Sequence, residues 1–375
     1  MKIICESKLL RFFDIGSRVK KINLARKKFM LQFIMGIILS KNVNFPAVAE
    51  HFSPDVELAS HIRRMERFFD DYQLDYIQIA ILLKCFLPPG QINLSTDRTN
   101  WQFAGQNINF LTISAYCRGV GIPLLFELLD KKGNSKTSER EQLFKKLFRI
   151  IPPKQIGTFC ADREFIGEKW YKFLIKHKIP FYIRIKSNHL ITLNGMIIHA
   201  KYLATIGREK IYKNIQIHGL TLHLAAKRIS LKKKEEEKYL LVLTNAIVEK
   251  ALKIYRLRWS IEVLFQSIKN RGFNLENTNL TDLPKLKKLF ALVSLAFASC
   301  LDIGIWKHDY DKPMKKKKSG YKPNSFFRYG LNEIRKALLH IHQKKDLALK
   351  IIDNLYQKLC DNLDLWNSLD FILRL

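Results

Sequence analysis

The spacing of hydrophobic residues divides the chain into a helical first part, a mixed middle part and a helical last part. Residues 1–88 carry apolar positions at helical spacing, and the Pro-Pro-Gly at 88–90 ends this region. From residue 89, short apolar runs and helical periods follow in the order three strands, helix, strand, helix, strand. Helical spacing returns from residue 283. This order predicts an α/β protein with helical ends.

Two further boundaries fall inside the middle part. Residues 187–237 contain short alternating runs joined by Gly turns, which predict a β-rich insertion. The run YLLVLTN then resumes the sheet and leads into a helix over 254–276. We therefore expect five regions: 1–88, 89–186, 187–237, 238–282 and 283–375.

The charge balance is strongly positive, with 65 Lys and Arg against 34 Asp and Glu and a net charge of +31. Such an excess repels itself unless a polyanion is the partner, so nucleic acid is the first candidate and an acidic membrane surface the second. The longest apolar run, 289–301, is shorter than the roughly 20 residues of a spanning helix, which favours a buried core helix. No membrane association is expected.

The helices of residues 1–88 include a pair joined at Ser53-Pro54-Asp55. Its second helix has a basic face of Arg63, Arg64 and Arg67. This pattern is typical either of a DNA-binding helix-turn-helix or of an ordinary packing unit.

Several classes of protein are disfavoured by what the sequence lacks. Its six cysteines are scattered without a CxxC pair, which indicates reduced thiols in a cytoplasmic protein and no zinc site. The N-terminus does not resemble a secretory signal. No GxxxxGK[ST] loop is present, so no nucleotide cofactor is expected.

Three carboxylates are candidates for a metal site. Asp97 in LSTDRTNW and Asp162 in FCADREF end predicted strands, at the sheet edge where α/β proteins place their sites. Glu262 lies on the helix that follows the last strand. Carboxylate oxygens suit Mg²⁺ or Mn²⁺, and two such ions per active site can cleave and join phosphodiesters.

The predicted helix 254–276 places a phenol, a guanidinium and an ammonium group beside Glu262. At about 100° per residue, Tyr255, Arg258 and Lys269 fall within about 60° of that carboxylate. An apolar edge runs alongside them, formed by Ile254, Leu257, Ile261, Leu264 and Ile268. The carboxylate would bind metal while its three neighbours hold phosphates.

Each of these features also has an ordinary structural explanation. A strand-end Asp is commonly a turn or cap residue, and a Tyr-Arg-Glu-Lys line can be an ion-pair ladder. Arg98 and Asn100 beside Asp97, and Arg163 beside Asp162, either reach DNA or shape the turns. Spacing alone leaves both interpretations open.

The motifs resemble those of the DDE transposases of bacterial insertion sequences, specifically the insertion-sequence-four family. That family has the helix motif Y-x2-R-x3-E-x6-K, which Tyr255, Arg258, Glu262 and Lys269 match, with Trp259 directly after the arginine. The runs STDRTNW, ADREFIG, YIRIKSN and NSFFRYGL are also similar to this group. The resemblance covers roughly residues 90–335.

The resemblance implies a ribonuclease-H-like catalytic core, that is, a mixed five-stranded sheet with flanking helices, carrying an inserted β-rich subdomain and helical N- and C-terminal regions. It implies that Asp97, Asp162 and Glu262 are the catalytic metal ligands, binding two Mg²⁺ or Mn²⁺ ions. With their neighbours included, the expected DNA contacts are Tyr255, Arg258, Lys269, Arg98, Asn100, Arg163 and Trp259.

The implied function is cut-and-paste DNA transposition, a form of DNA recombination. The enzyme would act as an endonuclease at the element's terminal inverted repeats and join the freed 3′-hydroxyls to target DNA. A homodimer would form the synaptic complex in the bacterial cytoplasm, at the nucleoid. The helical region 1–88 would bind DNA, and 283–375 would contribute dimer or DNA contacts.

Some relatives pass through a DNA hairpin and hold a flipped base with a tryptophan of the insertion. Residues 187–245 contain no tryptophan, so Tyr202, Tyr212 or Tyr239 would have to serve. Two other functions stay open: a metal-dependent DNA nuclease of the same fold, and an inactive DNA-binding relative.

Overall fold

The structure, a computed structural model, describes residues 22–232, 234–320, 322–340, 343–344, 346–351 and 354. The chain forms two compact units. The first comprises Met1–Pro88, Trp101–Ile108 and Phe265–Leu375, and the second comprises Pro89–Asn100 and Asn109–Leu264. This division into two units does not test the five predicted regions, which stay a prediction.

Ten strands form one mixed sheet in the order β3-β2-β1-β4-β5-β10-β9-β8-β6-β7. Their bounds are β1 Ile92–Phe103, β2 Gln106–Cys117, β3 Val120–Leu128, β4 Ile156–Ala161, β5 Phe181–Arg184, β6 Leu190–Leu193, β7 Met196–His199, β8 Lys210–Ile217, β9 Leu220–Arg228 and β10 Tyr239–Thr244. The predicted mixed α/β fold is confirmed.

The pairing of the central strands changes from antiparallel to parallel at β1. Strands β2 and β3 are antiparallel, whereas β4 runs parallel to both β1 and β5. Strand β10 then pairs antiparallel with β5 and with β9. The predicted count of five strands is not confirmed, because β10 and the insertion continue the same sheet. An open edge at β5 would leave backbone groups unpaired, and β10 takes those hydrogen bonds.

Eleven named helices accompany the sheet in the described part of the chain. They are α1 Leu24–Ser40, α2 Phe45–Ala49, α3 Leu58–Asp71, α4 Tyr76–Lys84, α5 Thr137–Phe148, α6 Glu168–Lys176, α7 Glu235–Lys238, α8 Ala251–Tyr255, α9 Trp259–Ile268, α10 Leu283–Trp306 and α11 Phe326–Leu339.

Helices α5 and α6 cover the sheet through an aromatic cluster in the second unit. Trp170 is fully buried, and its ring meets those of Phe144 and Phe159 edge to face at 5.2 and 5.9 Å. Such contacts add to the burial of large apolar area. Trp170 is therefore a core residue that fixes α6 directly after the loop bearing Asp162.

Helix α10 is the central helix of the first unit. It is long and apolar enough to span a membrane, but 83% of its most apolar window is buried inside the structure. Burial of that extent is typical of the core helix of a soluble fold. The expectation of a buried helix over 289–301 is confirmed.

The helix pair predicted near Ser53-Pro54-Asp55 consists of α2 and α3. Arg63 and Arg67 are exposed on α3. Arg64 instead donates to Gln32 Oε1 at 3.0 Å and lies over the Phe29 ring. One of the three predicted basic residues is thus engaged in packing within the first unit.

Four cysteines, at 85, 117, 160 and 300, are buried thiols. This agrees with the expectation of reduced thiols. Cys5 and Cys360 lie outside the described residues.

The continuous helix predicted over 254–276 is wrong. Helix α8 ends at Tyr255, a 3-10 turn spans Arg256–Arg258, and α9 ends at Ile268. The sequence then reaches Gly272 and Asn274, which adopts a left-handed conformation with φ 50°. That conformation is unfavourable inside a helix, so a helix could not continue through this position to residue 276. Lys269 consequently follows the helix and is not part of it.

Helices α10 and α11 approach closely at two glycines of the first unit. A Cβ on Gly330 would overlap the carbonyl oxygen of Cys300, and one on Gly304 would overlap that of Phe326. The two backbones can touch only because neither position carries a side chain.

We expect Gly330→Ala to lower the free energy of unfolding by about 2 kcal/mol or more, because overlap with a fixed backbone outweighs the roughly 1 kcal/mol that alanine gains in helix propensity. Urea denaturation measures this. Asn332→Ala, at an exposed position of the same helix, is the control. Equal stability of the two variants would contradict the close approach.

Candidate active site

Strand register brings two of the predicted carboxylates together. Strands β1 and β4 are parallel, and Thr96 lies opposite Ala161. Asp97 and Asp162 are the next residue of each chain segment, so they stand side by side where the parallel pairing ends. Neighbouring parallel strands place their carboxyl ends at one edge of the sheet. The predicted position at a strand end is correct for Asp162, which follows β4, whereas Asp97 lies inside β1, which continues to Phe103 beyond its pairing with β4.

The Arg258 side chain joins Asp97 to Glu262. Its Nη1 donates to Asp97 Oδ2 at 3.0 Å, and its Nη2 donates to Glu262 Oε1. The guanidinium is 12% exposed, against 20% for Asp97 and 27% for Glu262. Arg258 ends the 3-10 turn and lies four residues, about one helical turn, before Glu262 on α9, which is a spacing that brings side chains together.

The electrostatics of the cluster are dominated by burial and by Arg258. Burial raises the pKa of Asp97 to about 6, although Arg258 and the backbone N–H of Arg98 act to lower it. Burial also lowers the pKa of Arg258, but Tyr255, Asp97, Asp162 and Glu262 raise it by more. The guanidinium therefore stays charged and serves as the internal counter-ion of the carboxylates.

Tyr255 reaches the third carboxylate. Its hydroxyl donates to Asp162 Oδ1 at 3.5 Å, and its ring lies 5.8 Å from the Arg258 guanidinium carbon. Only 7% of Tyr255 is exposed, and burial raises the pKa of its phenol, so the group is a protonated donor. Tyr255, one of the four residues predicted to form a polar face of the helix, is therefore buried.

Glu164 is a residue of this region that sequence reasoning did not assign to the site. Arg98 donates to both of its carboxylate oxygens, from Nε at 2.7 Å and from Nη2 at 2.6 Å. The only sequence signal was its place two residues after Asp162. The pairing itself joins residues 66 positions apart and depends on the strand register.

The other predicted DNA contacts differ in exposure. Trp259, at the start of α9, is 58% exposed. Asn100 is exposed on β1, and Arg163 is half-buried in the turn after β4. Lys269 belongs to the first unit, where its ammonium contacts Glu276 Oε1 at 2.7 Å and lies 5.2 Å from the Trp101 ring centre.

As the side chains stand, no three His, Cys, Asp or Glu residues of the described chain converge closely enough to hold a metal ion. Asp97 and Glu262 nevertheless share one positive group already, and Asp162 stands at the neighbouring strand end. These are oxygen ligands of the kind that hard divalent cations prefer. The residues fit such an ion if Arg258 yields the carboxylate oxygens it now contacts.

Comparison with known families identifies the domain that carries this cluster. Residues 93–300, more than half of the chain, match the family described as Transposase DDE domain. The chain belongs to the transposase DDE domain family. The matched region contains Asp97, Asp162 and Glu262, so this transposase domain includes the whole carboxylate cluster. The predicted membership of the DDE transposases is confirmed at this level.

Comparisons with curated proteins and with solved structures add less about this chain than the family match does. No protein with curated information matches this transposase. A solved structure described as a cryo-EM structure of the piggyBac transposase synaptic complex with hairpin DNA is 12% identical, covering 94% of this chain and 82% of that chain with a TM-score of 0.44. A likeness at that level carries no argument about function.

We expect Asp97→Asn to raise the free energy of unfolding by about 1–3 kcal/mol at pH 7.5 in metal-free buffer, because the folded protein no longer holds a buried charge. The gain should shrink as the pH falls from 6 towards 4. In that window folded Asp97, with its pKa near 6, binds a proton that the unfolded chain, near 3.8, does not. The wild type is thereby stabilised relative to the variant.

Urea denaturation at pH 7.5, 6 and 5 measures this difference. Asp130→Asn, at an exposed position of the same unit, is the control and should show no comparable change. A variant less stable than the wild type at pH 7.5 would contradict the burial cost assigned to Asp97.

Proposed function

We propose that this transposase is a metal-dependent enzyme of the insertion-sequence-four type, which cleaves the ends of its element and transfers them into target DNA. The observation that supports this most strongly is the meeting of Asp97 and Glu262 at Arg258, with Asp162 at the adjacent strand end. A concentration of carboxylates at this sheet edge is costly for folding alone. It is useful for binding cations that act on phosphodiesters.

The strand order supports a ribonuclease-H-like core as part of the proposal. Strands β3, β2 and β1 are neighbours in antiparallel arrangement, and β4 and β5 continue in parallel. Residues 89–186 and 238–282 would form that core around the insertion 187–237. The same scheme assigns DNA binding to residues 1–88 and dimer or DNA contacts to 283–375.

Members of this family generally use divalent metal ions, and we propose Mg²⁺ or Mn²⁺, two per active site, held by Asp97, Asp162 and Glu262. The ions would activate the attacking water or 3′-hydroxyl and stabilise the departing oxygen. Arg258 would give up its contacts with Asp97 and Glu262 and donate hydrogen bonds to a backbone phosphate instead. Tyr255 would keep its protonated hydroxyl as a donor near Asp162.

DNA would be the partner of the other predicted contact residues. Trp259 offers a broad exposed ring next to Arg258 in the chain, and Asn100 and Arg163 follow the two aspartates in sequence. Lys269 is proposed as a further phosphate contact. Arg98 is the exception, because its guanidinium donates to Glu164 and neighbouring acceptors. The net charge of +31 would support binding along the duplex backbone.

A hairpin intermediate would require a stacking residue in the insertion. Tyr202 is 72% exposed, and the Lys201 ammonium lies 5.5 Å from its ring centre. Tyr239 is only 9% exposed, and the hydroxyl of Tyr212 donates to Leu203 O. Of these three tyrosines, Tyr202 suits a flipped base best.

The enzyme would act as a homodimer bound to two terminal inverted repeats, in the cytoplasm at the nucleoid. A nuclease of the same fold would share the carboxylates but would not join DNA ends. An inactive DNA-binding relative would bind without cleaving.

We expect the purified protein with Mn²⁺ or Mg²⁺ to cleave a labelled duplex carrying the element's end and to join it to supercoiled target DNA. Asp97→Ala, Asp162→Ala and Glu262→Ala should each lower the rate at least about 1000-fold, because each removes a ligand of the ions that stabilise the transition state. Gel analysis of cleaved and joined products measures both steps.

Asp130→Ala is the matched control, since it removes an exposed carboxylate outside the cluster. Cleavage without joining would show that the protein is a nuclease and does not transfer strands. Tight DNA binding without cleavage by the wild type would support the inactive relative and overturn the proposed activity.

A further inference from the structure

Arg98 and Glu164 form the most fully satisfied ion pair next to the candidate active site. Arg98 uses Nε and Nη2 to contact the two carboxylate oxygens of Glu164 at 2.7 and 2.6 Å. The two side chains are 14% and 18% exposed. This parallel pair of hydrogen bonds has the fork geometry that fixes both distance and orientation.

The rest of the Arg98 guanidinium is also held by the protein. Nη1 donates to Gly133 O at 2.6 Å and to Asn109 Oδ1 at 3.2 Å, and Nη2 also donates to Asn134 Oδ1 at 2.9 Å. A guanidinium has five N–H donors, and these bonds engage all five. Arg98 therefore has no donor left for a DNA phosphate in this arrangement.

Glu164 is anchored from its other side by a buried arginine. Arg140 of α5, 5% exposed, donates from Nη2 to Glu164 O at 2.9 Å and lies over the Phe165 ring. Arg140 is itself held by Ser135, through Oγ at 2.8 Å and the carbonyl oxygen at 2.6 Å. The loop that follows Asp162 is thus fixed against α5.

The pair lies where backbone support between the two aspartates ends. The parallel register between β1 and β4 stops at Thr96 and Ala161, one residue before Asp97 and Asp162. Arg98 is the neighbour of the first aspartate, and Glu164 lies two residues after the second. Beyond the last backbone pairing, this side-chain bridge continues the connection between the two segments.

We propose that Arg98 and Glu164 are positioning residues, whose ion pair sets the separation of Asp97 and Asp162 needed to hold divalent metal ions together. The inference rests on the proposed function. It assigns Arg98 to the support of the aspartates and not to DNA contact. A half-buried ion pair adds little to stability compared with apolar residues of similar size, whereas it specifies geometry well.

The test compares Arg98→Lys and Glu164→Asp with the wild type, all as full-length protein. Lysine keeps the charge but cannot donate through two parallel N–H groups, and aspartate is one methylene too short to reach. Mn²⁺ binding is followed by the electron paramagnetic resonance of free Mn²⁺, cleavage is followed as a function of Mn²⁺ concentration, and folding is followed by thermal unfolding.

We expect each variant to stay folded at the assay temperature, to bind Mn²⁺ at least about 10-fold more weakly, and to need a correspondingly higher Mn²⁺ concentration for half-maximal cleavage. The double variant Arg98→Lys/Glu164→Asp should be no worse than either single variant, because residues that act as one unit are not additive. Affinity for element-end DNA without metal should be unchanged.

Glu139→Gln is the matched control. It breaks the ion pair between Glu139 and Lys131 in the same unit. Their side chains are 28% and 26% exposed. If Arg98→Lys and Glu164→Asp lowered the unfolding temperature as Glu139→Gln does but left the Mn²⁺ dependence unchanged, the pair would be structural only. Weaker DNA binding by Arg98→Lys with unchanged Mn²⁺ affinity would overturn the positioning role and show that Arg98 contacts DNA. A wild-type protein that neither binds Mn²⁺ nor cleaves would overturn the proposed function, and this inference with it.

Discussion

Carboxylates gathered in a partly buried space repel one another, and the candidate site depends on a positive group placed between them. Arg258 supplies that charge by contacting Asp97 and Glu262 together. Two features of the fold lead to this contact: the parallel register of β1 and β4, which sets Asp97 beside Asp162, and the position of Arg258 one helical turn before Glu262. A guanidinium can satisfy two carboxylates here because its donors are spread over a planar fork.

The Arg258 counter-ion does not fully offset the free-energy cost of burying the charge of Asp97. Asp97 keeps a pKa near 6 although Arg258 contacts it, since burial outweighs the attraction. Sites that bind and release cations are commonly destabilised in this way, and the surrounding structure must hold them. Here the support comes from Trp170 in the core, from the loop anchored by Arg140, and from the sheet that extends through β10 into the insertion.

The strands and the position of Asp162 after β4 were predictable from the sequence because their signals are local. Alternation with period two marks a strand, and a carboxylate directly after it lies at the sheet edge. The break before Trp259, the burial of Tyr255 and the pairing of Glu164 were not predicted. The Tyr255 and Glu164 contacts join residues 93 and 66 positions apart, and Arg258 contacts a strand residue 161 positions away. Helical periodicity carries no information about such partners.

The central claim is that Asp97, Asp162 and Glu262 hold metal ions when Arg258 lets them go. Anomalous diffraction from crystals grown with Mn²⁺ and element-end DNA tests it most directly. Manganese peaks are expected in contact with Asp97 and Asp162, with the Arg258 guanidinium moved from the carboxylates to a phosphate. Crystals with DNA bound, no manganese at these residues and Arg258 still joining Asp97 to Glu262 would contradict it.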